Sequence, residues 1–173
     1  MIQIAFQPAL DPYHSIFRLL RLIPVIRACD RLEVNHVRIL DFYIAFPFRI
    51  SSIRVKSPHR RFKALGSRYS NTKPYGDTPD DRTLFARMAP IQETAMQSLA
   101  EHGYLLGPEL DAGWFTPTDA LPPAELADRI EEVNGRDQDL MEFVGVLATE
   151  YNLLGRDGLK DRTGLLEYRY DPV

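Results

Sequence analysis

An α+β fold that is predominantly helical follows from two features of the sequence. The first is residues 11–47, where two strongly apolar runs at helical spacing follow each other closely and end at Pro47. The second follows the helical pattern that closes at His102 and Gly103. It reads Tyr104-Leu105-Leu106, then Gly107 to Gly113, then Trp114-Phe115-Thr116. A helix stopped by glycine, a strand, a turn and a returning strand is the order of a winged helix with its β-hairpin wing. The expected organisation is a winged-helix-like core over residues 1–120. Residues 121–173 form a C-terminal helical extension ending in a strand, packed with the core as one unit.

Each element has a local reason. Ile2, Ile4 and Phe6 alternate with Gln3 and Ala5, which predicts a short strand ending at Pro8. Asp11 before Pro12 is a helix start: the side chain caps, and proline has no N–H to leave unpaired. Tyr13, Ile16, Phe17, Leu20 and Ile23 then form the expected inward face. His14, Arg18 and Arg21 form a basic edge that meets phosphate or an acidic partner, or more simply water. Pro24 kinks or ends this helix. Residues 31–35 form a joint.

The next helix, His36–Phe46, is apolar nearly all round, as expected of a helix in the middle of a domain. Asp41 interrupts it. A buried carboxylate needs a partner, and Arg38 stands three residues earlier, close enough to pair. A catalytic role for Asp41 has no second group nearby in sequence, so structural pairing with Arg38 is the preferred reading.

Residues 48–73 are basic. Arg49, Arg54, Lys56, Arg60, Arg61, Lys63, Arg68 and Lys73 occur without an acid between Asp41 and Asp77. Phe48, Ile50, Ile53, Phe62 and Leu65 anchor the segment, and Pro58–Gly66 reads as a short helix with a glycine stop. The first seven of these cations are the candidate contacts to a nucleic-acid backbone or an acidic protein groove. Residues 67–79 are a turn-rich loop.

Asp80 caps a further helix through Leu84, Phe85 and Met88. Pro90 starts a fresh turn or kinks it, and Ile91, Ala95, Met96 and Leu99 continue an apolar face to His102, where Gly103 ends it. If this helix entered a DNA groove, Gln92, Glu93, Gln97 and Glu101 would face the duplex. From Met88 to Asp128 there are seven acids and no Lys or Arg. Phosphate would be repelled there, which argues against conventional docking on DNA. Pro122 and Pro123 open a helix with Leu126, Ile130 and Val133 inward. A second begins at Asp137 or Asp139 and carries Leu140, Phe143, Val144, Leu147, Tyr151 and Leu154. After glycine-marked turns, Leu166, Tyr168 and Tyr170 alternate with Glu167 and Arg169 as a final strand, a possible partner for Ile2–Phe6.

The net charge of −3 conceals a polarised chain. Residues 1–73 hold 13 Lys/Arg and 4 Asp/Glu; residues 109–173 hold 6 and 15. Either the two ends present electrostatically different faces to partners, or they attract each other.

Residue types for most site chemistries are missing or scattered. There is no GxxxxGK[ST] or GxGxxG loop and no GxSxG elbow. The four histidines, at 14, 36, 59 and 102, lack HxxxH or HExxH spacing, and Cys29 is the single cysteine. No catalytic residue, cofactor or metal is assigned, and the expectation is a protein that is not an enzyme. The N-terminus lacks the basic start and apolar run of a signal peptide, and no apolar stretch is long enough for a membrane span. A cytoplasmic protein without membrane contact is expected.

Several segments also carry a family likeness: FQPALDPYHSIFRLLRLIP, RILDFYIAFPF, FARMAPIQETAMQSLAEHGYL and DGLKDRTGLLEYRYD. With them the chain resembles the middle components of bacterial ABC-three-component systems, which are similar to the small subunit of Lamassu-type antiphage defence. The clearest marks are Asp11 to His14, Arg38 to Tyr43 with Phe46-Pro47, and Gly164 to Tyr168. The resemblance implies a non-catalytic winged-helix subunit. It would link an SMC/Rad50-like ATPase to an effector such as a nuclease, and meet DNA through the complex. The alternative reading of the residues is a winged-helix transcription regulator that binds DNA as a homodimer.

Overall fold

A computed structural model describes residues 8–73 and 79–166. The strands expected at Ile2–Phe6 and around Leu166–Tyr170 lie outside the described residues, apart from Leu166. The described chain is predominantly helical, with a two-stranded antiparallel sheet. Its first helix, α1 (Pro12–Arg27), starts where Asp11 accepts the His14 N–H at 2.9 Å. It runs on through Pro24, which removes one donor without ending it.

Strand β1 (Leu32–Glu33) occupies the expected joint and leads directly into α2 (Val34–Ala45). Two 3-10 segments follow, Pro47–Ser52 and Ser57–Phe62, and then α3 (Lys63–Arg68). The Asp80 carboxylate accepts the Thr83 N–H and opens α4 (Asp81–Glu101), which also continues past its proline. Gly103, at φ +80°, supplies the left-handed turn that closes it.

Residues 104–118 combine a bridge with a short helix. Leu105 bridges Pro117, the Leu106 N–H donates to Thr116 O, and the Thr118 N–H donates to Tyr104 O. The expected turn between them folds into α5 (Gly107–Asp111). Strand β2 (Trp114–Phe115) pairs with β1 in the register Leu32–Phe115 and Glu33–Trp114, so its partner comes from before α2. The chain then continues through α6 (Ala124–Arg136), α7 (Gln138–Glu150) and α8 (Leu159–Thr163).

Helix α1 packs against α2, α4, α6 and α7. Residues from both sides of position 120 enter one apolar cluster, with Leu19, Phe42, Phe115, Phe143 and Leu147 among its buried members. Around Phe42, rings stack edge-on or tilted, with Tyr43 at 5.4 Å, Phe46 at 5.2 Å and Phe85 at 6.0 Å. Such arrangements set ring edges against ring faces.

The inward face of α1 differs from expectation. Tyr13 is 82% exposed, and Ile16 and Phe17 are only half-buried. Leu20 and Ile23 are buried as expected, but so are Ser15, Arg18, Leu19, Arg21, Leu22 and Ile26. Apolar residues cover so much of this helix that spacing alone does not select the central line. Two inward arginines select it, as described below.

Gly66 also corrects the sequence reading. It lies inside α3, and the helix continues to Arg68. A Cβ there would fall 2.7 Å from Ser51 N and 2.8 Å from Ser51 Cβ. The glycine therefore allows α3 to touch the backbone of the 47–52 segment. Gly66→Ala is expected to cost about 1–3 kcal/mol through overpacking, measured by urea denaturation. Gly145→Ala, in α7 with open space around the new methyl, is the control and should be neutral or stabilising.

Candidate functional site

Asp41 is fully buried in α2, and its partner is Arg18 of α1. Arg18 Nε donates to Oδ1 at 2.6 Å and Nη2 to Oδ2 at 3.2 Å, a two-pronged charge-assisted pair. Gln92 Nε2, from α4, donates to Oδ2 at 2.8 Å and to the Arg38 carbonyl at 3.2 Å. Arg18 Nη1 reaches Pro8 O at 3.1 Å. Arg38 does not pair with Asp41. It donates to Gln92 Oε1 at 3.0 Å and Asn35 Oδ1 at 2.8 Å, with its guanidinium over the Phe85 ring. Gln92, expected on an exposed face, is completely buried. With both carboxylate oxygens engaged and no exposed surface, Asp41 serves as a structural joint between three helices.

Arg21 makes a second joint. Its Nε donates to Asn134 Oδ1 at 2.8 Å and its Nη2 to Asp137 Oδ2 at 2.9 Å, while Asn134 Nδ2 returns a bond to Arg21 O at 3.2 Å. Burial pushes the Arg21 guanidinium below its ordinary value, and Asp137 opposes that shift. The expected basic edge of His14, Arg18 and Arg21 is thus dispersed: His14 is exposed and both arginines are buried. The missed signal was the pair of arginines three apart inside an apolar helix, each needing an acid elsewhere in the chain.

The basic segment folds against carboxylates and carbonyls from later in the chain. Arg49 binds Asp81 and Pro79 O, Arg54 pairs with Asp161 at 3.0 Å, Arg61 with Glu142 at 2.6 Å and Arg68 with Asp139 at 2.6 Å. Lys56 Nζ donates to Glu150 O and sits 4.5 Å from the centre of the Tyr151 ring. Arg60 and Lys63 are exposed and have no ion-pair partner among the described residues.

Beside these pairs His59 is buried against Tyr151 and Glu150. The Lys56 N–H donates to Tyr151 Oη at 2.8 Å, and His59 Nδ1 lies 2.8 Å from the same oxygen. The other ring nitrogen, Nε2, lies 3.2 Å from the Glu150 carboxylate. Among the described residues, no group of three or more His, Cys, Asp or Glu is placed to hold a metal ion. No described helix is long and apolar enough to cross a membrane.

The family model for ABC-three component (ABC-3C) system Middle Component 5 matches residues 4–171. The chain belongs to this family. No curated protein and no solved structure matches it. A middle component works with the other components of its system, so the surface of this one is where function is to be sought.

Two tests address the interior of this middle component. Asp41→Ala leaves the Arg18 guanidinium buried without its counter-charge, at an expected cost of about 3–5 kcal/mol in chemical denaturation. The double variant Arg18→Met, Asp41→Leu should recover most of that loss.

The second test concerns His36, buried with Nε2 donating to Leu147 O at 3.0 Å. Desolvation lowers its pKa from 6.5, partly opposed by the bond to Leu147 and by Glu33. Below pH 6.5 the unfolded chain therefore binds more protons than the folded one. Stability is expected to fall as pH drops through that window, and His36→Gln should flatten the slope.

Proposed function

We propose that this middle component is a non-catalytic adaptor in an antiphage defence complex of the Lamassu type. It holds an SMC/Rad50-like ATPase to an effector such as a nuclease, acts in the cytoplasm and has no contact with membrane. DNA reaches it through the complex. The observation that carries this reading is the family match over residues 4–171, which makes it one component among several. The spent cations support it. Five of the seven candidate contacts, Arg49, Arg54, Lys56, Arg61 and Arg68, already meet acceptors of the same chain. A surface neutralised in this way offers a phosphate backbone little counterion release.

The winged-helix architecture is part of the proposal. Its support is the order α1, β1, α2, then α4 and the 104–118 bridge, with β1 pairing to β2 across the module. The regulator alternative would place α4 in the major groove. Its exposed face there carries Glu93 and Glu101, and Gln92 is committed to Asp41, which argues against that use.

Co-expression with the products of the adjacent genes, together with DNA binding by the isolated chain at two salt concentrations, tests the reading. Co-purification with a large coiled-coil ATPase and weak, salt-sensitive DNA binding are expected. Tight, sequence-specific binding by the isolated chain would overturn it. Arg60→Glu with Lys63→Glu should weaken complex assembly or DNA contact while leaving the thermal melt unchanged; loss of neither shows that these two cations are merely solvated.

A further inference from the structure

An apolar groove of about 450 Å³ runs between α1, residues 120–122 and α6. Leu20, Ile23 and Pro24 form one wall, Leu121 the rim, and Ala127 and Ile130 the other wall. Leu121 is 75% exposed, a large aliphatic side chain standing in water beside an apolar trough.

Two sets of bonds hold the groove open. Arg27 Nη2 donates to Thr118 O at 2.6 Å and Ala120 O at 3.3 Å, which fixes the rim to α1. Arg21 and Asn134 exchange bonds across the floor and fix α6. The shape therefore exists before anything enters it. Pro24 adds polarity to the α1 wall, because its missing N–H deprives the Leu20 carbonyl of the usual helical donor.

The flank is acidic. Residues 119–135 contain Asp119, Glu125, Asp128, Glu131 and Glu132 against Arg129 alone, and Arg129 is paired with Glu132 at 2.6 Å. Glu131 lines the groove, and Asp128 stands about one turn before it on α6, next to the lining residue Ala127. Both are exposed and lack an ion-pair partner among the described residues. Nucleic acid and anionic lipid would be repelled here.

We propose that this groove receives an amphipathic helix from a partner protein. Apolar residues at i, i+3 or i+4, and i+7 fill the trough, and Lys or Arg beside them meet Asp128 and Glu131. A helix is favoured over an extended peptide because the long walls are helices whose backbone is largely engaged within them. A strand needs an open sheet edge, which these walls do not offer. This assignment rests on the adaptor reading and specifies where and how one partner is held.

The test uses the full chain and the other two components of its system. Overlapping peptides of about 20 residues covering both components are probed with the purified chain, and assembly is followed by co-purification. The expected binders share the apolar spacing and a positive charge. Their affinity should fall about tenfold, or 1.4 kcal/mol, with Leu121→Asp, whose exposed site leaves the fold unchanged. Asp128→Lys with Glu131→Lys should weaken the basic peptides and favour versions carrying Glu in place of Lys.

No bound peptide, or binding indifferent to both variants, would overturn the assignment. If Leu121→Asp assembles as well as the wild type, the groove proposal fails and the adaptor reading stands. If the wild type assembles with neither component, the adaptor reading fails and takes the groove proposal with it.

Discussion

A carboxylate at the centre of an apolar helix must find compensation, and the arrangement of the three helices around Asp41 follows from that need. Arg18 turns α1 so that this side chain faces Asp41 of α2, and Gln92 draws α4 onto the same point. The bond from Arg18 to Pro8 O places the chain leading into α1 on the network as well. Apolar packing supplies most of the driving force in such a core but is indifferent to small rotations. The polar network is directional, so it selects one rotation of each helix. Arg21 does the same for the far half of α1, where Asn134 and Asp137 set the positions of α6 and α7.

What could be read in the sequence, and what could not, divides by distance along the chain. The Asp11 and Asp80 caps, the proline-opened start of α6 and the all-round apolar character of α2 are local and were legible. That Asp41 is buried was equally legible, because its neighbours are apolar on every side. Its partner was not: Arg38 is the only nearby cation, while Arg18 lies a helix away. The same limit hid strand β1, whose two residues have no periodicity and exist because Phe115 and Trp114 pair with them. Gly66 has the residue type of a helix stop, but its role is set by Ser51, a contact no local pattern records. For the candidate surface, the sequence showed which cations were present and left open whether they met partners or the chain's own acids.

The fold brings the sequence's opposed charges together. Arg54, Arg61 and Arg68 meet Asp161, Glu142 and Asp139, so the basic first part and the acidic last part partly cancel where they touch. Exposed pairs of this kind contribute only about 0.2–1 kcal/mol each. Their larger effect is on the outer field, which is left mixed over the basic segment and negative along α6. A partner approaching this middle component meets two different electrical surfaces, joined by helices that share one core.

The close contact at Gly66 separates the shape of that surface from its charge. Salt screens exposed pairs and weakens the hold of Arg61 and Arg68 on α7. Backbone touching backbone, as α3 and the 47–52 segment do beside Ser51, does not depend on ionic strength. The basic segment is therefore seated mechanically. Solution conditions can retune what it attracts without moving where it stands, so a partner would find the same contour in dilute and in concentrated salt.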